Sequence, residues 1–214
     1  KTQKPEQDKK KISVLEKAIE LISKEQRILN NLDKDEIEYL SIFQLISIKP
    51  VVYVCNVDEN SSVNGNSHTK SIEEYSKLNN SETLLVSAKI ESEISQISDI
   101  EEKKMFLDSM GLKETGLKRV IKKGYALLNY INFFTAGEKE LRAWTISKGT
   151  LAPSAAGEIH TDMEKGFIRA ETISYEDYIE YNGESGAKEK GKLRLEGKEY
   201  EVNDGDVMHF LFNV

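Results

Sequence analysis

Two short apolar runs constrain the fold of this chain more than any other feature. Val51-Val52-Tyr53-Val54-Cys55 and Thr83-Leu84-Leu85-Val86 are continuous, β-rich and without the polar alternation of a strand that has one wet face. Such runs mark parallel strands buried on both faces. Parallel neighbours need a long crossover, usually helical. The intervening residues provide one: a polar stretch rich in Asn and Ser that contains Gly65, then a helical pattern over 72–78. The pair therefore predicts a βαβ unit of an α/β domain.

The flanking segments extend this frame. Residues 1–11 are polar and Lys-rich, and are expected to fray. Ile12, Leu15, Ile19, Ile22, Gln26 and Leu29 then recur in alternating steps of three and four, a coiled-coil seam of about two and a half heptads. One helix cannot bury such a stripe alone. Either it packs on its own domain, or it is half of an antiparallel arm whose other strand lies upstream. The second reading is preferred, because nothing else in the chain offers a matching long partner. Asp33-Lys34-Asp35 reads as a helix N-cap region, with Ile37, Leu40, Phe43 and Ile46 following and Lys49-Pro50 as the stop. Beyond the second apolar run, helices are expected over 94–109, stopped by Gly111, and over 116–128.

After Asn129 the texture changes. Strand-like segments at 140–146, 167–172, 192–195, 199–202 and 207–212 alternate with turns rich in Gly, Asn and Asp. Pro153 suits the first turn of a helix ahead of Ser154-Ala155-Ala156, and a shorter helix is expected at 175–179. Gly183-Glu184-Ser185-Gly186 reads as a loop. The pattern is a mostly β sheet grasping one helix, with Trp144, Phe167, Tyr200 and Phe210 as core candidates. Three parts result: 1–32, 33–129 and 130–214.

Charge narrows the function classes. Residues 1–50 carry 10 basic and 9 acidic groups, residues 51–128 carry 10 and 12, and residues 129–214 carry 10 and 16, for a net charge of −7. An acidic C-terminal region argues against a nonspecific polyanion binder, whose affinity rests on clustered Lys and Arg. The local basic clusters Lys118, Arg119, Lys122, Lys123 and Lys188, Lys190, Lys192, Arg194 read first as solvated faces, with RNA contact as the sharper alternative. The single cysteine, Cys55, cannot form an internal disulfide and is expected to be a buried reduced thiol. No apolar run approaches the roughly 20 residues of a membrane span, so no membrane partner is expected and a cytoplasmic protein fits best. With one Cys and three scattered His there is no metal cluster. His160 beside Thr161 and Asp162 invites a catalytic reading, but no nucleophile accompanies it, and a capping role is favoured.

The chemistry sits at the ends of the two apolar runs, where open parallel sheets place their ligands. The first ends in Asn56-Val57-Asp58-Glu59 and the second in Ser87-Ala88-Lys89. Guanine-binding NTPases place the Asn of an Asn-Lys-X-Asp motif at the first position and a Ser-Ala-Lys loop at the second. Here Val57 replaces the stacking Lys and Glu59 replaces the Asp that accepts from guanine's donors. A longer carboxylate does not occupy the same point, so guanine selection is expected to weaken. The Asn56 amide both donates and accepts, and serves either purine.

This Asn-X-X-Glu variation resembles the Obg-like ATPase family known as YchF, and the resemblance covers essentially the whole chain. It is carried by Lys49-Pro50-Val51-Val52-Tyr53-Val54-Cys55-Asn56-Val57, by Phe134-Thr135-Ala136-Gly137 with Arg142-Ala143-Trp144-Thr145-Ile146, and by the run from Ile159-His160-Thr161-Asp162 through Gly166-Phe167-Ile168-Arg169-Ala170. The ending Asp204-Gly205-Asp206-Val207-Met208-His209-Phe210-Leu211-Phe212-Asn213-Val214 carries it furthest. The resemblance implies an α/β chain: the C-terminal part of a P-loop NTPase (G) domain (33–129) with the returning helix of a coiled-coil arm (1–32), then an α+β, ubiquitin-like β-grasp TGS domain (130–214). It also implies a ribosome-associated, ATP-preferring ATPase, with ATP and Mg²⁺ in the complete protein and ribosome or ribosomal RNA as partner. Asn56, Val57, Glu59, Ser87 and Ala88 would form the base site. Lys89 completes the tripeptide of guanine NTPases and leaves GTP binding open. No Gly-X-X-X-X-Gly-Lys-Ser/Thr occurs, so no phosphate cradle and no catalytic residue are expected in this chain, which alone should be inactive and hold no nucleotide tightly. The exposed arm seam should favour self-association of the isolated chain. Two rival readings are a non-catalytic RNA- or ribosome-binding module acting through the TGS domain, and a regulatory interaction protein acting through the arm.

Overall fold

The computed structural model describes residues 4–137 and 140–213. Lys1, Thr2 and Gln3 of the segment expected to fray, and Val214 of the terminal motif, lie outside the described residues. The chain forms two units, Lys1–Leu127 and Leu128–Val214.

In the first unit α1 spans Lys4–Ser23. The Lys-rich stretch expected to fray is helical from Lys4 onward, as its Lys, Glu and Gln residues permit. The helix also stops sooner than the heptad spacing predicts. Glu25 takes a left-handed φ of 58°, so Gln26 and Leu29 are not on the helix, and a 3-10 turn follows over Ile28–Asn30. Val14 and Ala18 pack inward with Ile28, Leu40 and Ile48, while the expected seam residues Ile12, Ile19 and Ile22 stay 55%, 67% and 50% exposed. The helix thus docks on its own unit through Val14 and Ala18 together with the seam residue Leu15, and the three isoleucines of the seam remain uncovered.

Helix α2 spans Lys34–Ser41 behind a capping box: Asp33 accepts from the Glu36 N–H at 2.8 Å, and Glu36 accepts from the Asp33 N–H at 3.2 Å. Gln44, at φ 51°, lies in the turn that follows, so Phe43 and Ile46 fall beyond the helix and are exposed. Strand β1 (Val52–Asn56) pairs in parallel with β2 (Glu82–Val86), in register from Val52–Glu82 to Asn56–Val86. Between them runs α3 (Ser67–Leu78), capped by Asn66 with Thr69. The crossover is the one expected, but complete burial of the strands is not found. Val54 is 48% exposed. Cys55 is half-buried and free, with burial pushing its thiol pKa up. Among the described residues this sheet has two strands, and the burial of a parallel strand depends on neighbours and layers that its own sequence does not specify.

The single helix expected over 94–109 is two, α4 (Ala88–Gln96) and α5 (Ile100–Ser109). Asp99 makes the break by accepting from the Glu102 N–H at 2.9 Å. Helix α6 (Gly116–Leu127) is capped from a distance. The Glu91 carboxylate, one turn into α4, accepts from Gly116 N–H at 2.6 Å and Leu117 N–H at 3.1 Å, satisfying two donors that a helix start leaves unpaired. A Cβ on Gly116 would stand 2.9 Å from both Glu91 and Val86, so the close approach requires glycine.

The second unit contains β3 (Tyr130–Ala136), β4 (Leu141–Ser147), α7 (Ala152–Ile159), α8 (Thr161–Lys165), β5 (Phe167–Ile173), α9 (Tyr175–Glu180), α10 (Glu184–Glu189), β6 (Arg194–Glu196) and β7 (Val207–Phe212). Its sheet has the order β4-β3-β7-β5-β6, with the central β3–β7 pair parallel and the others antiparallel. Helix α7 carries Pro153 in its first turn and packs through Ala152, Ala155 and Ala156, all fully buried. These small side chains let the helix approach the core of Phe133, Ile146, Phe167, Met208 and Phe210 closely, with Trp144 and Tyr200 partly buried against it.

Three differences from expectation have physical causes. Strand β3 escapes an alternation search because adjacent aromatics serve both faces: Phe133 enters the core and Phe134 packs on Tyr175. The stretch 199–202 is not a strand. It forms one bridge, Leu151–Glu201, while the Ala152 N–H donates to Tyr200 O and the Val202 N–H to Thr150 O. Gly183-Glu184-Ser185-Gly186 is not a loop but the start of α10, with Gly183 at φ 106° before it. A Cβ on Gly186 would stand 1.9 Å from the Tyr181 carbonyl oxygen, so glycine there serves a tight helix approach.

A polar lock closes this unit. Asp206, 2% exposed, accepts from the Tyr200 hydroxyl at 2.7 Å, the Asn203 N–H at 2.9 Å and the Arg194 guanidinium at 3.2 Å. With its own sheet, core and lock, the segment 128–214 expressed alone is expected to melt in one cooperative transition. A sloping, featureless melt followed by calorimetry would refute this.

Candidate functional site

The carboxyl ends of β1 and β2 lie side by side, and the ladder runs one bond past the strands, from Val57 N–H to Val86 O at 2.9 Å. Each strand then turns sharply. After β1, Asp58 caps a 3-10 turn over Glu59–Ser61 by accepting from the Ser61 N–H and hydroxyl at 3.0 and 3.1 Å, and these bonds hold its carboxyl below the usual range. After β2, Ser87 is buried and Ala88 opens α4.

A side chain joins the two turns. The Ala88 N–H donates to Asn56 Oδ1 at 3.0 Å. An N–H can face only the oxygen of the amide, so the orientation of Asn56 is fixed by chemistry. Its Nδ2 hydrogens remain as donors. A second link lies beside the first: Lys89 Nζ stands 2.7 Å from Glu59 Oε1 and 4.0 Å from Glu93. The Glu59 carboxylate, by hydrogen bond and charge, holds the Lys89 ammonium above its ordinary pKa.

All five expected site residues therefore fall in two adjoining loops. Asn56 meets Ala88 directly, Val57 lies on the extended ladder, Glu59 engages Lys89, and Ser87 is the buried N-cap residue of α4. The sequence reading missed the Glu59–Lys89 pair and the Glu91 fastening of α6. The signals were a Lys and a Glu at the ends of two neighbouring strands, and an acidic residue one turn into α4.

The remaining candidates are structural. His160 ends α7 and caps α8, accepting from the Asp162 N–H at 3.2 Å. The indole N–H of Trp144 donates to Thr135 Oγ1 at 3.0 Å, and Arg142 sits 4.1 Å above its ring. In the first basic cluster Lys122 pairs with Glu114 and Lys123 with Glu82, and in the second Lys192 pairs with Asp177 and Arg194 with Asp206. Both clusters are thus partly neutralised by neighbours, which leaves less charge for a phosphate backbone. Among the described residues no group of three or more His, Cys, Asp or Glu side chains could hold a metal ion, and no helix is long and apolar enough to cross a membrane.

Comparison with known proteins decides the relationship. Residues 130–213 match the family YchF-GTPase_C, described as a protein of unknown function (DUF933). Over 204 residues the chain is 50% identical to the ribosome-binding ATPase YchF of Haemophilus influenzae, covering 95% of this chain and 56% of that protein. The chain belongs to the YchF family. To the Bacillus subtilis ribosome-binding ATPase YchF it is 54% identical over 172 residues, 79% of this chain and 47% of the relative. The solved structure of the Schizosaccharomyces pombe YchF GTPase superposes with a TM-score of 0.84 at 31% identity, covering 99% of this chain and 57% of that one. The chain spans about half the length of the YchF relatives it matches. Its mixed helix and strand architecture is that of the YchF structure.

Proposed function

We propose that this chain supplies the base-reading half of a purine-nucleotide site, ATP-preferring, together with a β-grasp TGS module, within a cytoplasmic ribosome-associated ATPase. The observation that carries the reading is the Asn56–Ala88 hydrogen bond. It ties the two strand-end loops together and engages one lone pair of the Asn56 oxygen, fixing the amide so that its N–H groups are free to donate outward. A purine presents N7 as an acceptor, and adenine and guanine share it, so Asn56 anchors either base without choosing between them. Val57 offers an apolar wall, and Ser87 and Ala88 line the opposite edge. The choice between bases falls to Glu59, whose carboxylate is engaged by Lys89.

The relatives' names support this reading in part, being ribosome-binding ATPases in the bacteria and a GTPase in the fission yeast. The residues present fit a base and not a triphosphate: no Gly-rich cradle with its Lys occurs in this sequence. Bound Mg²⁺ and ATP phosphates would supply the electrophile for phosphoryl transfer, and no residue of this chain is assigned to that step. The β4-β3-β7-β5-β6 sheet with α7 across it supports the TGS assignment of 130–214. The uncovered isoleucines of α1 support its assignment to a coiled-coil arm, and with that seam exposed the isolated chain should self-associate.

The test is Asn56→Ala in the full-length protein. Losing one donor and the clamp on Ala88 should weaken ATP and GTP alike by about tenfold, the worth of one to two hydrogen bonds. Unchanged affinity for both nucleotides, with the fold intact by circular dichroism, would remove the base-site assignment.

A further inference from the structure

Lys89 lies one residue past the Asn56–Ala88 hydrogen bond, in the first turn of α4. Its ammonium reaches across to the other loop and meets Glu59 at 2.7 Å, while Glu93, its partner one turn along α4, is farther away at 4.0 Å. Towards a purine, an ionised carboxylate can only accept hydrogen bonds. Guanine presents an N–H and an exocyclic amine side by side, a donor pair suited to such an acceptor. Adenine has no ring N–H there and carries its amine elsewhere. A bound ammonium occupies lone pairs of the carboxylate and cancels the charge that makes it a strong acceptor.

We infer that Lys89 is a specificity-determining residue: by pairing with Glu59 across the two loops, it withdraws the acceptor that guanine would use and so holds GTP back relative to ATP. The inference rests on the base site proposed above. It departs from a reading of Lys89 as part of a guanine-type Ser-Ala-Lys loop, because the contact made by its side chain is to Glu59. The pair is partly exposed, at 67% for the Lys89 side chain and 34% for Glu59, so its leverage is a small factor.

The experiment measures ATP and GTP affinities by competition on the full-length protein and four variants. The ratio of the two affinities is the readout, because removing a positive charge acts on both triphosphates alike. Lys89→Ala should lower the ATP-to-GTP ratio about two- to fivefold. Lys89→Arg keeps the ion pair and should keep the parent ratio. Adding Glu59→Ala to Lys89→Ala should abolish the gain in GTP. A ratio unmoved by Lys89→Ala, or a GTP gain that survives loss of Glu59, overturns the inference. Asn56→Ala separates the two failures. If it weakens both nucleotides while Lys89→Ala leaves the ratio alone, the role of Lys89 falls and the base site stands. If it weakens neither, the base site falls and takes the inference with it.

Discussion

Asp206→Ala is expected to cost the second unit about 2–3 kcal/mol, because the Tyr200 hydroxyl and the Asn203 N–H lose their acceptor while Arg194, 46% exposed, stays partly solvated. A domain of this size holds only about 5–15 kcal/mol in total, so the variant should lose a large share of its stability. Tyr200, Asn203 and Arg194 would each lose an acceptor. The Arg194 guanidinium would keep Glu196 as a partner at 3.4 Å, and the Tyr200 oxygen would still accept from Asn203 Nδ2 at 2.9 Å and Arg194 at 3.1 Å, but the Tyr200 hydroxyl proton would lose its acceptor. Urea denaturation followed by Trp144 fluorescence measures the effect, and a loss below about 1 kcal/mol would show the lock to be incidental. The lock also sets an alkaline limit. Burial first, and the bond to Asp206 second, push the Tyr200 phenol up to about 12 from its ordinary 10.0. The folded state then binds the proton more tightly than the unfolded one. That contribution is intact below about pH 10 and is lost as the pH rises towards 12. Tyr200→Phe should remove this part of the pH slope.

The second large effect concerns nucleotide. The isolated 214-residue chain should bind ATP–Mg²⁺ no more tightly than the millimolar scale and should not hydrolyse it. Most of the anchoring of a nucleotide comes from its phosphates and metal, held by a ring of backbone N–H groups and a Lys in a Gly-rich loop. The proposed base site offers one amide, an apolar wall and a backbone edge. At about 0.5–1.5 kcal/mol per neutral hydrogen bond, those contacts reach millimolar affinity at best. Calorimetric titration with a phosphate-release assay reads both properties. Micromolar binding, or turnover that survives repurification, would place a phosphate site within this chain.

Much of the fold was legible where local chemistry decides it. The N-cap at Asp33, the Pro153 helix start and the strand at 207–212 each follow from residues a few positions apart, and each is present. The misses arise where backbone conformation or packing, not residue spacing, decides the outcome. Glu25 ends α1 by its backbone conformation, and nothing in the heptad spacing announces that. The adjacent aromatics Phe133 and Phe134 look irregular until the two faces of β3 are both covered. Glycines at 183 and 186 look like loop residues until Tyr181 is seen to press on one of them. The candidate site divides in the same way. Its five residues were readable at strand ends, but the ion pair between Glu59 and Lys89 joins positions 30 apart and emerges only when β1 and β2 align.

The packing of α1 has a mechanical consequence. Val14 and Ala18 stand one turn apart and share a face, whereas the isoleucine ridge lies about 100° around the helix from them. The small inward pair works as an index pin: it lets the helix seat closely at one azimuth, and that seating aims Ile12, Ile19 and Ile22 away from the unit. A bulkier residue at 18 would lift the pin from its socket and let the rod roll, turning the ridge off its heading with no seam residue altered. The bearing of the isoleucine ridge is thus set largely by side chains that are not part of it.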